Sequence, residues 1–212
     1  MSEHAANPKS FRHGNLVEAL IQATIDIIEE SGVESVSLRE ASRRAGVSPG
    51  APFRHFASKK ALMTAVAEQA MGRLTGAVQQ ALAQQKGDDP LEGLEAVGRG
   101  YLRWAIDNPT HFAIISSRSL IDFHGSEVLT SQNNALRDKM VALLDHARQQ
   151  GRLAEGVDSN HIVLASRALV YGLARMAIDG HFPEWHPDEA PPEAMEHALH
   201  LFIRQISARA AP

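Results

Sequence analysis

The sequence predicts an all-α fold of about nine helices, and three observations carry that expectation. Apolar residues recur along most of the chain at the three-to-four-residue spacing of one helix face. Ser, Asp and Gly residues punctuate those runs where helix caps belong, and no stretch alternates with the period of two that marks a strand. The 212 residues are 44% apolar and 22% charged, which is enough apolar material for a sizeable core. No internal repeat is present.

The elements follow in order. Residues 1–13 are polar, contain Asn7-Pro8 and read as a flexible arm. From Asn15 the residues Leu16, Leu20, Ala23, Ile27 and Ile28 define the inner face of a first helix, which Ser31-Gly32 stops. Ser37 is placed to cap a short second helix, with Glu40 completing a capping box. That helix turns Leu38, Ala41 and Ala45 inward and Arg39, Arg43 and Arg44 outward, and Gly46 ends it. Ser48 then caps a third helix with Pro49 at its first position, running to about His55, with Pro52 in or near the first turn. Ser58 caps a long helix from Lys59 to about Gln85, broken by Lys86-Gly87-Asp88-Asp89-Pro90. Helices are expected over Leu91 to Asp107, Thr110 to about Arg118 and Ser126 to Gln150. Two more follow, from an Asp158 cap to about Asp179 and from Glu193 to Ala208, with a Pro-rich loop over His181 to Pro192.

Composition excludes several classes of function. With no cysteine there is no disulfide framework, thiol nucleophile or thiolate zinc site. No apolar run approaches the roughly 18–20 residues that span a bilayer, and the N-terminus has no apolar signal core, so the expectation is a cytoplasmic protein without a membrane partner. No phosphate loop, G-x-S-x-G elbow, dinucleotide fingerprint or spaced ligand set occurs, so no enzyme, cofactor or metal is expected. His197 and His200, three apart on a helix, and His181 and His186, in the Pro-rich loop, lack a matching ligand set and read as solvated or interface residues.

The net charge of −4 is unevenly spread. Residues 35–60 hold Arg39, Arg43, Arg44, Arg54, Lys59 and Lys60 against Glu40 alone, a local +5 that leaves −9 for the rest. A basic patch on an acidic body suits a protein that meets phosphate with one end. The same stretch is a short helix, a turn at Gly46 and a second short helix, the arrangement in which the second helix enters a major groove while the first braces it. Glycine allows the tight turn, small Ser48, Gly50 and Ala51 permit close approach to DNA, and Arg54, His55 and Lys59 can reach phosphates at the rim. Lys9, Arg12 and His13 of the arm are further basic groups near this end.

At these residues the sequence resembles the TetR family of repressors. The family's motif is met by Ser37, by Ala45-Gly46-Val47-Ser48, by Phe53-Arg54-His55-Phe56, and by Lys59 and Leu62. The resemblance implies that Ser37, His55 and Lys59 hold the phosphate backbone, while Arg39 and the helix opened by Ser48-Pro49-Gly50-Ala51 face bases. Phe53 stands where the family usually has tyrosine, so a phosphate-reaching hydroxyl is absent and the ring is either a packing residue or a DNA contact. One of Arg43 and Arg44 belongs on the solvated side.

Further along, Gly100-Tyr101-Leu102-Arg103-Trp104-Ala105 and Asn108-Pro109-Thr110-His111-Phe112 look like a TetR subfamily with a Trp-x-x-x-His-Gly signature in its penultimate helix, but here Arg167 and Tyr171-Gly172 occupy those places. Arg103, Trp104, His111, Phe112, Ile115, Arg118 and Phe123 cluster around a break between helices, where pockets form, and are candidate ligand-binding residues. Core packing is the other reading of Trp104, Phe112 and Ile115, and a surface salt bridge that of Arg103, His111 and Arg118. In the resembled family the last two helices form a four-helix dimer interface. Ala165, Ala168, Leu169, Gly172, Met176, Leu199, Phe202, Ile203 and Ile206 are the candidates for it, burial within one chain being the alternative.

The expected organisation is therefore an arm over 1–13, a three-helix helix-turn-helix domain over 14–60, and a ligand-binding and dimerisation domain over 61–212, entered by the long helix. The expected function is a repressor that binds palindromic operator DNA as a homodimer and is released by a small-molecule effector. A ligand-independent DNA-binding protein of the same fold is the alternative, and an enclosed cavity in the C-terminal domain would separate the two.

Overall fold

The computed structural model describes residues 13–154 and 156–208. Among them it is all-α, with nine α-helices, two 3-10 turns and one isolated β-bridge. The arm lies outside the described residues apart from His13, which opens α1 (His13–Ser31). Along α1 the residues Leu20, Ala23 and Ile27 are buried, as their spacing predicts, together with Ile21 and Ile25. The buried hydroxyl of Thr24 donates back to the Leu20 carbonyl at 2.7 Å, so it costs the core no unpaired polar group. A 3-10 turn, Val33–Ser35, leads into α2 (Leu38–Arg44).

The expected third helix is the first correction. From Ser48 to His55 the chain forms successive turns ending in a 3-10 turn, Pro52–Arg54, and no α-helix. Pro52, not Pro49, takes the first helical position, and the Ser48 carbonyl accepts the Ala51 N–H at 3.0 Å. The cause is Pro52: without an N–H it cannot bond to Ser48 four residues back, so the segment closes with tighter bonds. His55 and Phe56 N–H groups both donate to the Pro52 carbonyl, at 2.9 and 2.8 Å.

The long helix α3 (Lys59–Ala83) is capped by Ser58, whose Oγ accepts the Ala61 N–H at 3.1 Å. Then follow α4 (Pro90–Asp107), α5 (Pro109–Ser116), α6 (Glu127–Gln149) and α7 (Ser159–Ile178). The last are α8 (Phe182–Trp185) and α9 (Pro191–Ile206). The short α8 lies in the segment expected to be a loop: Phe182 is buried and anchors one turn.

The chain divides into two compact units, 1–69 with 110–126, and 70–109 with 127–212. The first extends past the expected boundary at 60 and takes in α5 and the loop after it. Hydrogen bonds fix that loop to α3: the Asp122 N–H donates to Thr64 Oγ1 at 2.9 Å, and the Ser126 hydroxyl to Glu68 Oε1 at 2.6 Å. Phe112, Ile114 and Ile121 are buried with Leu62 and Val66 of α3.

In the second unit α4 is the central helix, packed by α6, α7 and α9. Its N-cap Asp89 accepts the Leu91 N–H at 3.0 Å and the Arg152 guanidinium at 2.6 Å. At Gly100 an added Cβ would lie 3.0 Å from the Ala77 carbonyl oxygen and from Val78 Cα, so only glycine lets the backbones of α3 and α4 approach this closely. Asp158 caps α7 through the Asn160 and His161 N–H groups, which hold its carboxyl below the usual range. By length and composition alone α7 would suffice to cross a bilayer, a test that the core helix of a globular domain passes as well.

Candidate functional site

The first unit shapes its helix-turn from local bonds. Ser37 Oγ accepts the Glu40 N–H at 3.1 Å, which is one half of the expected capping box. The Glu40 carboxylate does not return to Ser37; it binds Arg43 at 2.8 Å and lies 3.5 Å from Arg44. At the far end Gly46 adopts φ 67°, with its N–H on the Arg43 carbonyl and the Val47 N–H on the Ser42 carbonyl. These two bonds make a Schellman cap, which needs a left-handed residue and therefore glycine.

The side chains singled out for DNA are mostly exposed. Ser37, Arg39, Ser48, Pro49 and Gly50 are exposed, as are Phe53, Arg54 and His55, while Ala51 and Lys59 are half-buried. Ser37, Arg39 and Pro49 border one cleft of about 480 Å³ with Glu40, Arg43 and Val47. Gly50 has neither a left-handed φ nor any neighbour within 4 Å of where a Cβ would stand, so the protein's own packing does not require glycine there.

The charges divide sharply. Arg43 and Arg44, read from sequence as outward cations, are both neutralised: Arg43 by Glu40, and Arg44 by Glu30 of α1 as well as Glu40. The arginine hydrogen bonds hold the Glu30 and Glu40 carboxyls below their ordinary range. Arg39, Arg54 and Lys60 form no ion pair among the described residues. Lys60 was not among the sequence candidates; its signal was the charge run Lys59-Lys60. The Lys59 ammonium donates to the Val33 carbonyl at 2.8 Å and keeps two further N–H donors.

Phe53 and Phe56 have opposite roles. Phe56 is 6% exposed and packs in the core, whereas Phe53 is 61% exposed and does not pack in the core of its own chain.

The candidate ligand residues fall on both units. In the first, His111, Phe112 and Ile115 are buried, and the Arg118 guanidinium lies 3.5 Å over the Phe123 ring. In the second, Trp104 is buried with its indole N–H unpartnered, and Arg103 is exposed. Arg167, in place of the subfamily's tryptophan, donates to the Tyr101 hydroxyl at 2.6 Å and faces the rings of Tyr101 and Tyr171. Burial pushes the Tyr101 phenol up despite that cation. The clefts of the second unit open onto its surface.

Among the dimer candidates Ala165 and Ala168 are exposed, and Leu169, Gly172, Met176, Phe202 and Ile206 are half-buried. Leu199 and Ile203 are a correction: they are 3% and 6% exposed and pack into their own unit, Leu199 against Gly98. Leu164 and Leu201, which were not among these candidates, are 67% and 56% exposed. Leu164 continues the outer face of α7 one turn before Ala168, so the helical period held the signal. His197 and His200 do not act together: His197 pairs with Glu189 at 2.6 Å and His200 with Glu95 at 3.3 Å.

Comparison with known proteins gives consistent results. Residues 20–66 match the family model for bacterial regulatory proteins of the tetR family, and residues 94–202 match that for the tetracyclin repressor-like C-terminal domain. The HTH-type transcriptional regulator YobS of Bacillus subtilis is 22% identical over 76% of this chain and 78% of its own. A solved protein of unknown function from Rhodococcus sp. RHA1 superposes with a TM-score of 0.78 at 26% identity, over 94% of this chain and all of that one. A TetR family transcription regulator from Marinobacter aquaeolei VT8 shares the fold at a TM-score of 0.68 and 18% identity, over 92% of this chain and 96% of its own.

Proposed function

The chain belongs to the TetR family of helix-turn-helix transcriptional regulators, and from that premise we propose that it is a repressor that binds a palindromic operator as a homodimer and releases it when a small molecule binds the second unit. The observation that carries this reading is the division of charge: Arg43 and Arg44 are spent on Glu30 and Glu40, while Arg39, Arg54 and Lys60 are exposed cations with no ion pair among the described residues. Unmatched exposed cations favour a polyanion, and the counterion release they cause makes the affinity fall steeply with salt. Ser37 and Lys59 then position the backbone of the duplex, and Arg39 with Pro49, Gly50 and Phe53 faces base edges.

A two-fold dimer places two such turns on one side of the duplex, about one helical repeat of 34 Å or a modest multiple apart. An effector lowers affinity when it prefers a conformation whose recognition turns have the wrong separation. A preference of about ten- to a hundred-fold per site suffices, and operator DNA must then weaken the effector by the same factor. The test is selection of duplexes from a random library by the full-length protein, followed by gel-shift titration. Enrichment of an inverted repeat, bound at a stoichiometry of two chains, is expected. Binding without sequence preference would overturn the operator reading, and a selected operator that no metabolite releases would favour the ligand-independent regulator.

A further inference from the structure

Between the last turn of α4 and the first turn of α9 the second unit carries a pocket of about 240 Å³. Its wall is apolar: Leu102 and Met195 are buried, Ile106 is half-buried, and Pro192 lies at the edge. Two opposite charges stand at its rim one helical turn apart, Arg103 and Asp107. Arginine and aspartate four residues apart on a helix can pair with each other, yet neither side chain forms a hydrogen bond or ion pair with another described residue. The remaining rim charge, Glu196, is already satisfied: it accepts the Arg99 guanidinium at 2.9 Å, and Arg99 also binds Glu95 at 3.1 Å. The pocket therefore combines an apolar wall with one unspent cation and one unspent anion.

We infer that this pocket binds a small zwitterion with an aliphatic side chain, that is, an apolar α-amino acid. Its carboxylate meets Arg103, its ammonium meets Asp107, and its side chain lies against Leu102, Ile106 and Met195. The charge pattern decides between ligand classes. A simple fatty acid satisfies Arg103 but leaves Asp107 facing an anion, and a simple amine does the reverse. Only a molecule with both groups matches both rim charges, and charge-assisted hydrogen bonds to the two give that match its discrimination. The cleft, at about 240 Å³, accommodates a branched or linear side chain of a few carbons.

This names the effector class of the regulator proposed above and rests on that reading only for its effect on operator affinity. Binding itself is measured on the full-length protein without DNA, so its failure leaves the operator reading untouched. Calorimetric titrations with L-leucine and L-methionine are compared with 4-methylpentanoate, which lacks the amine, with 3-methylbutylamine, which lacks the carboxylate, and with glycine, which lacks the side chain. Saturable binding of leucine or methionine is expected, weakened at least about tenfold in each partial ligand and in Arg103→Gln and Asp107→Asn. Both side chains are exposed, so both variants should melt like the parent without ligand. Absence of saturable heat for either amino acid up to about 10 mM overturns the proposal. So does undiminished binding in both variants, or equal affinity for 4-methylpentanoate.

Discussion

The Lys59 ammonium donates to the Val33 carbonyl at 2.8 Å, tying the start of α3 to the turn that precedes α2. One intramolecular bond leaves the cation's charge and two donors for phosphate. Lys59→Ala is therefore expected to have two effects. It should cost about 1 kcal/mol of stability, read from denaturant unfolding. It should also weaken every duplex to a similar degree and reduce the log–log salt slope by about one per chain. An unchanged slope would take Lys59 out of the DNA interface and leave it the structural bond alone.

Phe53 and Phe56 offer a paired experiment. Phe56→Ala should destabilise the chain by about 3–5 kcal/mol, because it empties a buried site. Phe53→Ala should leave the melting temperature near that of the parent, since the ring is 61% exposed, and should weaken operator binding through lost contact with base or sugar edges. Phe53→Tyr restores a hydroxyl at the phosphate rim and should bind at least as tightly as the parent. Normal affinity in Phe53→Ala would show that the ring faces solvent in the complex as well.

The Glu30 and Glu40 carboxyls are held below their ordinary range by hydrogen bonds from Arg44 and Arg43. For a carboxyl with a depressed folded pKa the stabilisation is present above the unfolded value and is lost as pH falls through the folded one. The α1–α2 clasp should thus hold through neutral pH and open on acidification below the ordinary carboxylate range. Glu40→Gln should flatten the acid limb of the stability profile of the first unit, as followed by amide exchange in α2. An acid limb identical to the parent's would assign the sensitivity to other groups.

What was legible in the sequence was whatever a short-range signal encodes. Ser37, Ser58 and Asp158 cap their helices because each offers a side-chain oxygen to an N–H two or three residues on, and Gly46 ends α2 for want of a Cβ. The turn from Ser48 to His55 was misjudged because the pattern of small residues outweighed the missing N–H of Pro52, which sits one full turn into the segment. Tertiary choices were not legible. Nothing local shows that Glu40 will turn from Ser37 to Arg43, or that Thr64 and Glu68 will hold the loop at 122–126 and draw α5 into the first unit. Leu199 illustrates the same limit: its spacing on α9 fits an interface as well as a core, and the space left by Gly98 of α4 decides for the core.

That distinction yields the final prediction. The outer face of α7 carries Leu164, Ala165 and Ala168, and α9 adds Leu201, all exposed in the single chain. Leaving so apolar a helix face in water is unfavourable by roughly 25 cal/mol per Å², and an identical face on a second copy is the partner a two-fold axis supplies. The chain should sediment at about twice its mass at micromolar concentration. Leu164→Glu or Leu201→Glu should dissociate the dimer with little change in helix content, because neither residue supports its own core, and should cost most of the operator affinity, since a monomer engages one half-site only. Leu199→Ala should do the converse, lowering the melting temperature by a cavity effect of about 2–5 kcal/mol while the folded protein stays dimeric. A parent protein that sediments as a monomer, or charged variants at 164 and 201 that remain dimeric, would move the interface away from this face.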